Sequence, residues 1–227
     1  MSAGGSRPPE RGPAGALQLI SDAARVGEAT FLRALEAALE AGLRRVQVRE
    51  PSFGPERLEA FARRVAEVAR RGAREDVLVI VSRRADLVGR LGLAGVHVGG
   101  AAPAEVAAAR SVVPPGALVG YSAHAVGEIE EAARCGADYA TYSPIFGAIS
   151  KRHALPSVGL EGLRDACARS PIPVYALGGI LPEHAGEVRR AGAAGAAMIG
   201  GILGAPDPAA AVRRFFELWE SAAPGRA

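Results

Sequence analysis

IPVYALGGILPEHAGEVRRAGAAGAAMIGG, residues 172–201, sets out one complete strand–helix–strand unit and decides the fold. Its outer segments, 172–176 (IPVYA) and 195–199 (GAAMI), are short apolar runs of strand length, and 182–191 between them reads as a helix. Each strand runs directly into a glycine pair, Gly178–Gly179 and Gly200–Gly201. Parallel strands need a crossover of a dozen or so residues, usually helical, and the spacing here supplies it.

The same unit recurs upstream. Further strands are expected at 17–20 (LQLI), 45–48 (RVQV), 77–81 (VLVIV), 95–98 (GVHV), 117–120 (ALVG) and 138–141 (DYAT). Helices are expected at about 55–71, 83–91, 103–112, 125–135, 159–169 and 208–221. Phe31, Leu35, Ala38 and Leu39 form an apolar stripe on one further helix, stopped by Gly42. Strict alternation predicts a parallel sheet. Eight units predict a closed (β/α)8 TIM barrel in a single domain over 16–222, since open sheets usually have fewer strands. No GxGxxG follows the first strand, which weakens a dinucleotide-binding reading.

Residues 1–15 are rich in Gly, Pro and Ser and are expected to be a disordered extension. They contain no apolar core, so they do not read as a signal peptide, and a cytoplasmic protein is expected. No apolar run approaches the roughly 20 residues that span a bilayer. A chain of 227 residues, 49% hydrophobic, is able to bury a core without disulfides or metals. The net charge of +3 is small, and arginines alternate with glutamates along the helices, as in Glu128, Glu130, Glu131 and Arg134. That pattern is a solvated surface, and nucleic acid is not an expected partner. Cys135 and Cys167 lie on separate helices without CxxC spacing, so buried free thiols are preferred over a disulfide. Of 27 basic residues only Lys151 is a lysine.

In a barrel of this kind the chemistry sits on the loops after the strands. Alternation in RVQVRE turns Val46 and Val48 toward the helices and Gln47 and Arg49 toward the barrel mouth. An inward arginine needs a partner, either a ligand or an internal carboxylate. His97 also points inward, and the hydrogen-bonded core histidine is preferred to a catalyst there. His124 lies beyond strand five, just before a helix, where an imidazole suits acid–base work; a capping or surface role is the alternative. The two glycine pairs match the place where barrels hold a phosphate on backbone N–H groups, although tight turns alone would explain one pair. Lys151, in the long loop after strand six, suits the same anion as a point charge.

The segments LQLISD, VQVRE, GVHVG, VGYSAH, GADYATYSPIF…SK, VGLEGL, PVYALGGI and AGAAGAAMIGGI together resemble the thiamine phosphate synthase and TenI-like thiazole tautomerase superfamily, in order, over about 17–205. By that resemblance the synthase joins a pyrimidine pyrophosphate to a thiazole phosphate, using magnesium to neutralise the leaving pyrophosphate. This chain departs from the synthase pattern. Ser82-Arg83 stand where the synthase has Asn-Asp, and GGAAPAE follows strand four where it has an aspartate. Pro51 replaces a lysine, and Ala148 and Ser150 replace two loop threonines. The thiazole-phosphate half is kept: Lys151, Gly178, Gly179, Gly200, Gly201 and His124.

The resemblance with these departures implies the tautomerase branch. Such an isomerase aromatises a carboxythiazole phosphate by metal-free, cofactor-independent proton transfer. His124 would be catalytic, with Gln47, Arg49, Ser82, Arg83 and Ser122 binding substrate beside the phosphate grip. A divergent synthase and a non-catalytic, thiazole-phosphate-binding regulatory protein are the alternatives. The expected partners are a thiazole phosphate and a second copy of the chain in a homodimer, with neither nucleic acid nor membrane.

Overall fold

The computed structural model describes residues 13–71, 76–99, 102–147 and 156–224. Eight parallel strands close into a barrel: β1 (Leu17–Ile20), β2 (Arg45–Val48), β3 (Leu78–Ser82), β4 (Gly95–Val98), β5 (Leu118–Ala123), β6 (Tyr139–Tyr142), β7 (Val174–Leu177) and β8 (Gly195–Met198). Each strand pairs with its sequence neighbour. Closure comes from β1 against β8, in the register Leu17↔Ala196 and Leu19↔Met198. The single-domain (β/α)8 barrel expected from the alternation is therefore the fold.

Alternation sorts each strand's side chains between two environments. Val46, Val48, Val79, Val81, Val96 and Val119 point outward and are buried under the helices. The helix Glu28–Glu40 contributes Phe31, Leu35, Ala38 and Leu39 to the same core, all buried. Gly42 then turns the chain with φ +107°, which a side chain rarely allows. Burial of each large side chain contributes roughly 1.5–3 kcal/mol. The last helix, Pro208–Ser221, begins on Asp207, whose carboxylate accepts the Ala210 N–H at 3.0 Å, and it packs on Glu28–Glu40 across the closure.

The inner face packs large residues beside small ones. Tyr139, Tyr175 and Ile80 form an interior apolar cluster. Gly120 and Gly195, opposite Tyr139 and Tyr175 in the register, leave room for those rings. Arg45, buried at the base, stacks over both tyrosines at 4.0 and 4.6 Å from their centroids.

Several boundaries differ from expectation for local reasons. A 3-10 turn over Pro13–Ala16 precedes β1, so three residues assigned to the extension have defined structure; residues 1–12 lie outside the described residues. The helix expected at 83–91 starts at Asp86, because Arg83 takes a left-handed φ of +65° at the end of β3. The helix expected at 182–191 opens as a 3-10 turn, Pro182–His184, before Ala185–Arg190. Both cysteines are free but only half-buried, and burial pushes the Cys167 thiol up to about 12. Among the described residues no helix is long and apolar enough to cross a membrane.

Candidate active site

The upper barrel interior is polar, and nearly every group in it has a partner. Gln18 Nε2 donates to Gln47 Oε1 at 2.6 Å, and Gln47 Nε2 donates to Ser82 Oγ at 2.8 Å. Across the barrel, His97 Nδ1 lies 2.9 Å from the Tyr139 hydroxyl and Nε2 lies 2.8 Å from Ser122 Oγ. Thr141 Oγ1 also donates toward Ser122 Oγ, at 3.4 Å. Gln47, Ser82 and Ser122 thus stand in the top layer, on strands that carry the mouth. The one buried donor without a partner among the described residues is Arg45 Nη2, at the other end of the barrel.

His97 is the hydrogen-bonded core histidine that the sequence suggested. Burial, then the charges of Arg45 and Arg49, push its pKa down to about 3. The ring is neutral at pH 7, one nitrogen donating and the other accepting. In the unfolded chain the same ring titrates near its ordinary value of 6.5. Below that pH the unfolded state takes up a proton that the folded state refuses, at about 1.4 kcal/mol per unit of separation. Stability supplied by His97 is therefore expected to be complete above pH 6.5 and to fall steadily toward pH 3. Urea melts of the parent and His97→Gln across that window check this: the parent's slope with pH is to be the steeper.

Arg49 sits just beyond β2, with its N–H donating to Ser21 Oγ at 2.8 Å and its side chain exposed. Among the described residues no carboxylate pairs with it, so the internal salt bridge weighed from sequence is not what holds it. The neighbouring Glu50 is buried and fully engaged. Its Oε1 accepts Ser21 Oγ at 2.6 Å and Ala23 N–H at 2.7 Å, and its Oε2 accepts Ala24 N–H at 2.9 Å. Glu50 thereby satisfies the start of the turn Ala23–Val26 after β1, a role that nothing in VQVRE announced. Arg83 is exposed, its backbone N–H fixed on the His97 carbonyl at 3.0 Å.

His124 lies on the rim. Its Nδ1 is 2.8 Å from the Ser143 carbonyl, which only accepts, so Nδ1 carries a proton and Nε2 is left to face outward. Its backbone N–H donates to Glu128 Oε2 at 2.7 Å, tying the residue to the start of the helix Val126–Arg134. The imidazole is exposed, with an orientation set by its neighbours.

The two glycine pairs are not equivalent. A Cβ on Gly178 would lie 2.8 Å from Pro144 Cα, and one on Gly179 would lie 2.6 Å from the Gly147 carbonyl oxygen. Both residues have positive φ, so packing and backbone together explain this pair. A Cβ on Gly201 would meet the Ile180 carbonyl oxygen at 2.7 Å. Gly200 differs: nothing lies within 4 Å of its missing side chain, at the first position of the short helix Gly200–Leu203. First-turn N–H groups of a helix have no intrahelical acceptor, which suits an anion. A groove of about 480 Å³ runs beside Gly200 and Gly201, lined also by Leu181, Asp207 and Arg214. Gly200→Ala is expected to leave the melting temperature unchanged while weakening binding of a phosphate monoester at least tenfold, read by calorimetry.

Lys151, Ala148 and Ser150 lie outside the described residues. The stretch before them is anchored: the Phe146 ring packs against His184, tilted by 40° at 4.2 Å between centroids, and His184 Nδ1 accepts the Leu181 N–H at 3.1 Å. This contact joins the loops after β6 and β7.

The donor set does not fit the magnesium that the resemblance implies. Magnesium requires oxygen ligands, usually with one or two carboxylates. The ends of β3 and β4 offer Ser82, Arg83 and Gly99, and both Glu50 oxygens are occupied. Among the described residues no group of three or more His, Cys, Asp or Glu is arranged to hold a metal.

The profile of the thiamine monophosphate synthase family matches residues 17–202, the whole barrel as far as the helix after β8. The thiamine biosynthesis bifunctional protein ThiM/ThiE of Symbiobacterium thermophilum is 40% identical over 85% of this chain, which spans 39% of that longer protein. The thiamine-phosphate synthase of Roseiflexus castenholzii is 34% identical over 88% of this chain and 86% of its own length. The solved thiamine phosphate pyrophosphorylase from Pyrococcus furiosus superposes with a TM-score of 0.78 at 27% identity, covering 92% of this chain and 96% of that one. The Roseiflexus relative, like that of Desulfitobacterium hafniense at 33% identity over 90% of this chain, is named a synthase, which is a transferase, and these names overturn the isomerase expected from the missing carboxylates. A missing metal ligand reports on the ion and leaves open which bond is made. Its sequence and its barrel both place the chain in the thiamine monophosphate synthase family.

Proposed function

We propose that the barrel mouth carries out a thiamine-phosphate synthase reaction, transferring a pyrimidine unit from its pyrophosphate ester to a thiazole phosphate. The observation that carries this reading is the match of the family profile along 17–202, together with 34% identity to a relative named thiamine-phosphate synthase. In the reaction a new bond to the thiazole replaces the carbon–oxygen bond to pyrophosphate, which departs with the electron pair. Negative charge grows on the leaving group, so fixed donors and cations at the mouth are what accelerate it.

The residues divide the work. Gly200 and Gly201 present N–H groups to the thiazole phosphate, and Lys151 supplies charge from the loop after β6. Gln47, Ser82 and Ser122, already oriented by one another and by His97, offer hydrogen bonds to the heterocycles. His124 Nε2 faces the substrates as an acceptor, or as a donor when protonated.

The test is to incubate the protein with both substrates, once in EDTA and once with magnesium, and to quantify thiamin phosphate and pyrophosphate. Equal amounts of the two products, absent when either substrate is omitted, are expected. Neither product under either condition, with thiazole phosphate still bound, would overturn the reading in favour of a binding protein.

A further inference from the structure

The end of β3 holds an arginine where a cation site would need a carboxylate, and its surroundings make that arginine available. Arg83 adopts φ +65° without being glycine, a backbone state that persists only where surrounding structure imposes it and that clusters at functional sites. Its N–H donates to the His97 carbonyl at 3.0 Å, and the Arg84 N–H donates to the Ser82 carbonyl at 2.9 Å, closing a tight turn around Arg83. Its neighbour Arg84 is spent: Nε and Nη2 grip the two Asp86 oxygens at 2.7 and 2.6 Å. Arg83 has no such partner among the described residues. On the adjacent strand, the register Gln47↔Ile80 and Val48↔Val81 puts Arg49 level with Ser82, one residue before Arg83. Arg49 is also exposed and also without a carboxylate, while Glu50 is consumed by three donors.

We infer that this corner of the mouth is an anion site in which Arg83, flanked by Arg49, binds pyrophosphate directly, without a divalent cation. Guanidinium groups suit the task, since their paired N–H groups match phosphate oxygens and their charge is permanent. Two fixed positive charges repel a divalent cation and attract the anion that such a cation would otherwise bridge. The inference rests on the synthase reading for the identity of the anion, and the two are separable by experiment.

The probe is inorganic pyrophosphate, titrated calorimetrically into the full chain in EDTA and again with magnesium. The parent is expected to bind in EDTA. Arg83→Asn removes the charge yet suits a left-handed backbone, and it is expected to weaken binding at least tenfold with an unchanged melting temperature. Arg84→Ala, which removes a guanidinium already paired, is expected to bind like the parent. Arg83→Asp is expected to lose binding in EDTA and to regain it with magnesium. Pyrophosphate binding by the parent only with magnesium, or parent-like binding by Arg83→Asn, would overturn the inference. Thiamin phosphate formed only with magnesium would likewise sink the anion site and leave the synthase reading standing. Metal-free binding through Arg83 without any turnover would leave the anion site and sink the synthase reading.

Discussion

Gly179→Ala is expected to lower stability by about 2–5 kcal/mol and to abolish most activity. The added methyl would lie 2.6 Å from the Gly147 carbonyl oxygen and 2.8 Å from that of Phe146. Both obstacles are backbone atoms, so no side chain is able to swing aside. Overfilling a packed site costs about 1–3 kcal/mol, and a left-handed φ of +68° adds roughly 1–2 for a residue with a Cβ. For a domain of this size each kcal/mol shifts the melting temperature by about 2–4 °C, so a drop on the order of 10 °C is expected. Relief of the clash requires the loop after β6 to move away, and that loop leads to Lys151. Thermal melts with kinetics on the same samples read both effects. The contrast with Gly200→Ala, open on every side, separates a glycine kept for packing from one kept for a ligand.

Glu50→Ala is expected to cost about 3–5 kcal/mol, the sum of several donors left without their charged acceptor. The Ala23 and Ala24 N–H groups and the Ser21 hydroxyl all end on this one carboxylate. Ser21 Oγ in turn accepts the Arg49 N–H, so loss of Glu50 also loosens the backbone that presents Arg49. Glu50→Gln keeps one acceptor but turns an NH2 toward a donor, and an intermediate loss is expected. Chemical denaturation measures the series. A metal-binding Glu50 would behave oppositely, losing activity with little change in stability.

The fold was legible because periodicity is a local property. A short strand-length run followed by an amphipathic stripe is visible in any window, and β1, β2 and β4 fall on the expected residues. Boundaries slipped where a single residue overrode the pattern. β7 starts at Val174, after Pro173, which has no N–H to give to a ladder. The helix after β3 is shortened by the left-handed Arg83.

The site was legible only in outline. Gln47 follows from alternation, Ser82 and Ser122 came only through the family resemblance, and His124 and the glycine pairs follow from their place after strands. Glu50, Arg45 and Tyr139 were missed, because their roles depend on partners across the barrel: Glu50 on Ser21, and Arg45 on tyrosines some 94 and 130 residues away (139 − 45 and 175 − 45). No local pattern encodes such pairings. The reaction was misread for a related reason, since the absence of carboxylates describes one corner of the mouth rather than the bond being made.

The central claim is that a thiazole phosphate lies across this mouth, with its phosphate at the end of β8 and its ring below His124. A crystal structure of the chain with thiazole phosphate tests it most directly. The account predicts phosphate oxygens within hydrogen-bond distance of the Gly200 and Gly201 N–H groups, and the ring within reach of His124 Nε2. A phosphate bound elsewhere, with the N–H groups of Gly200 and Gly201 facing only solvent, would contradict it.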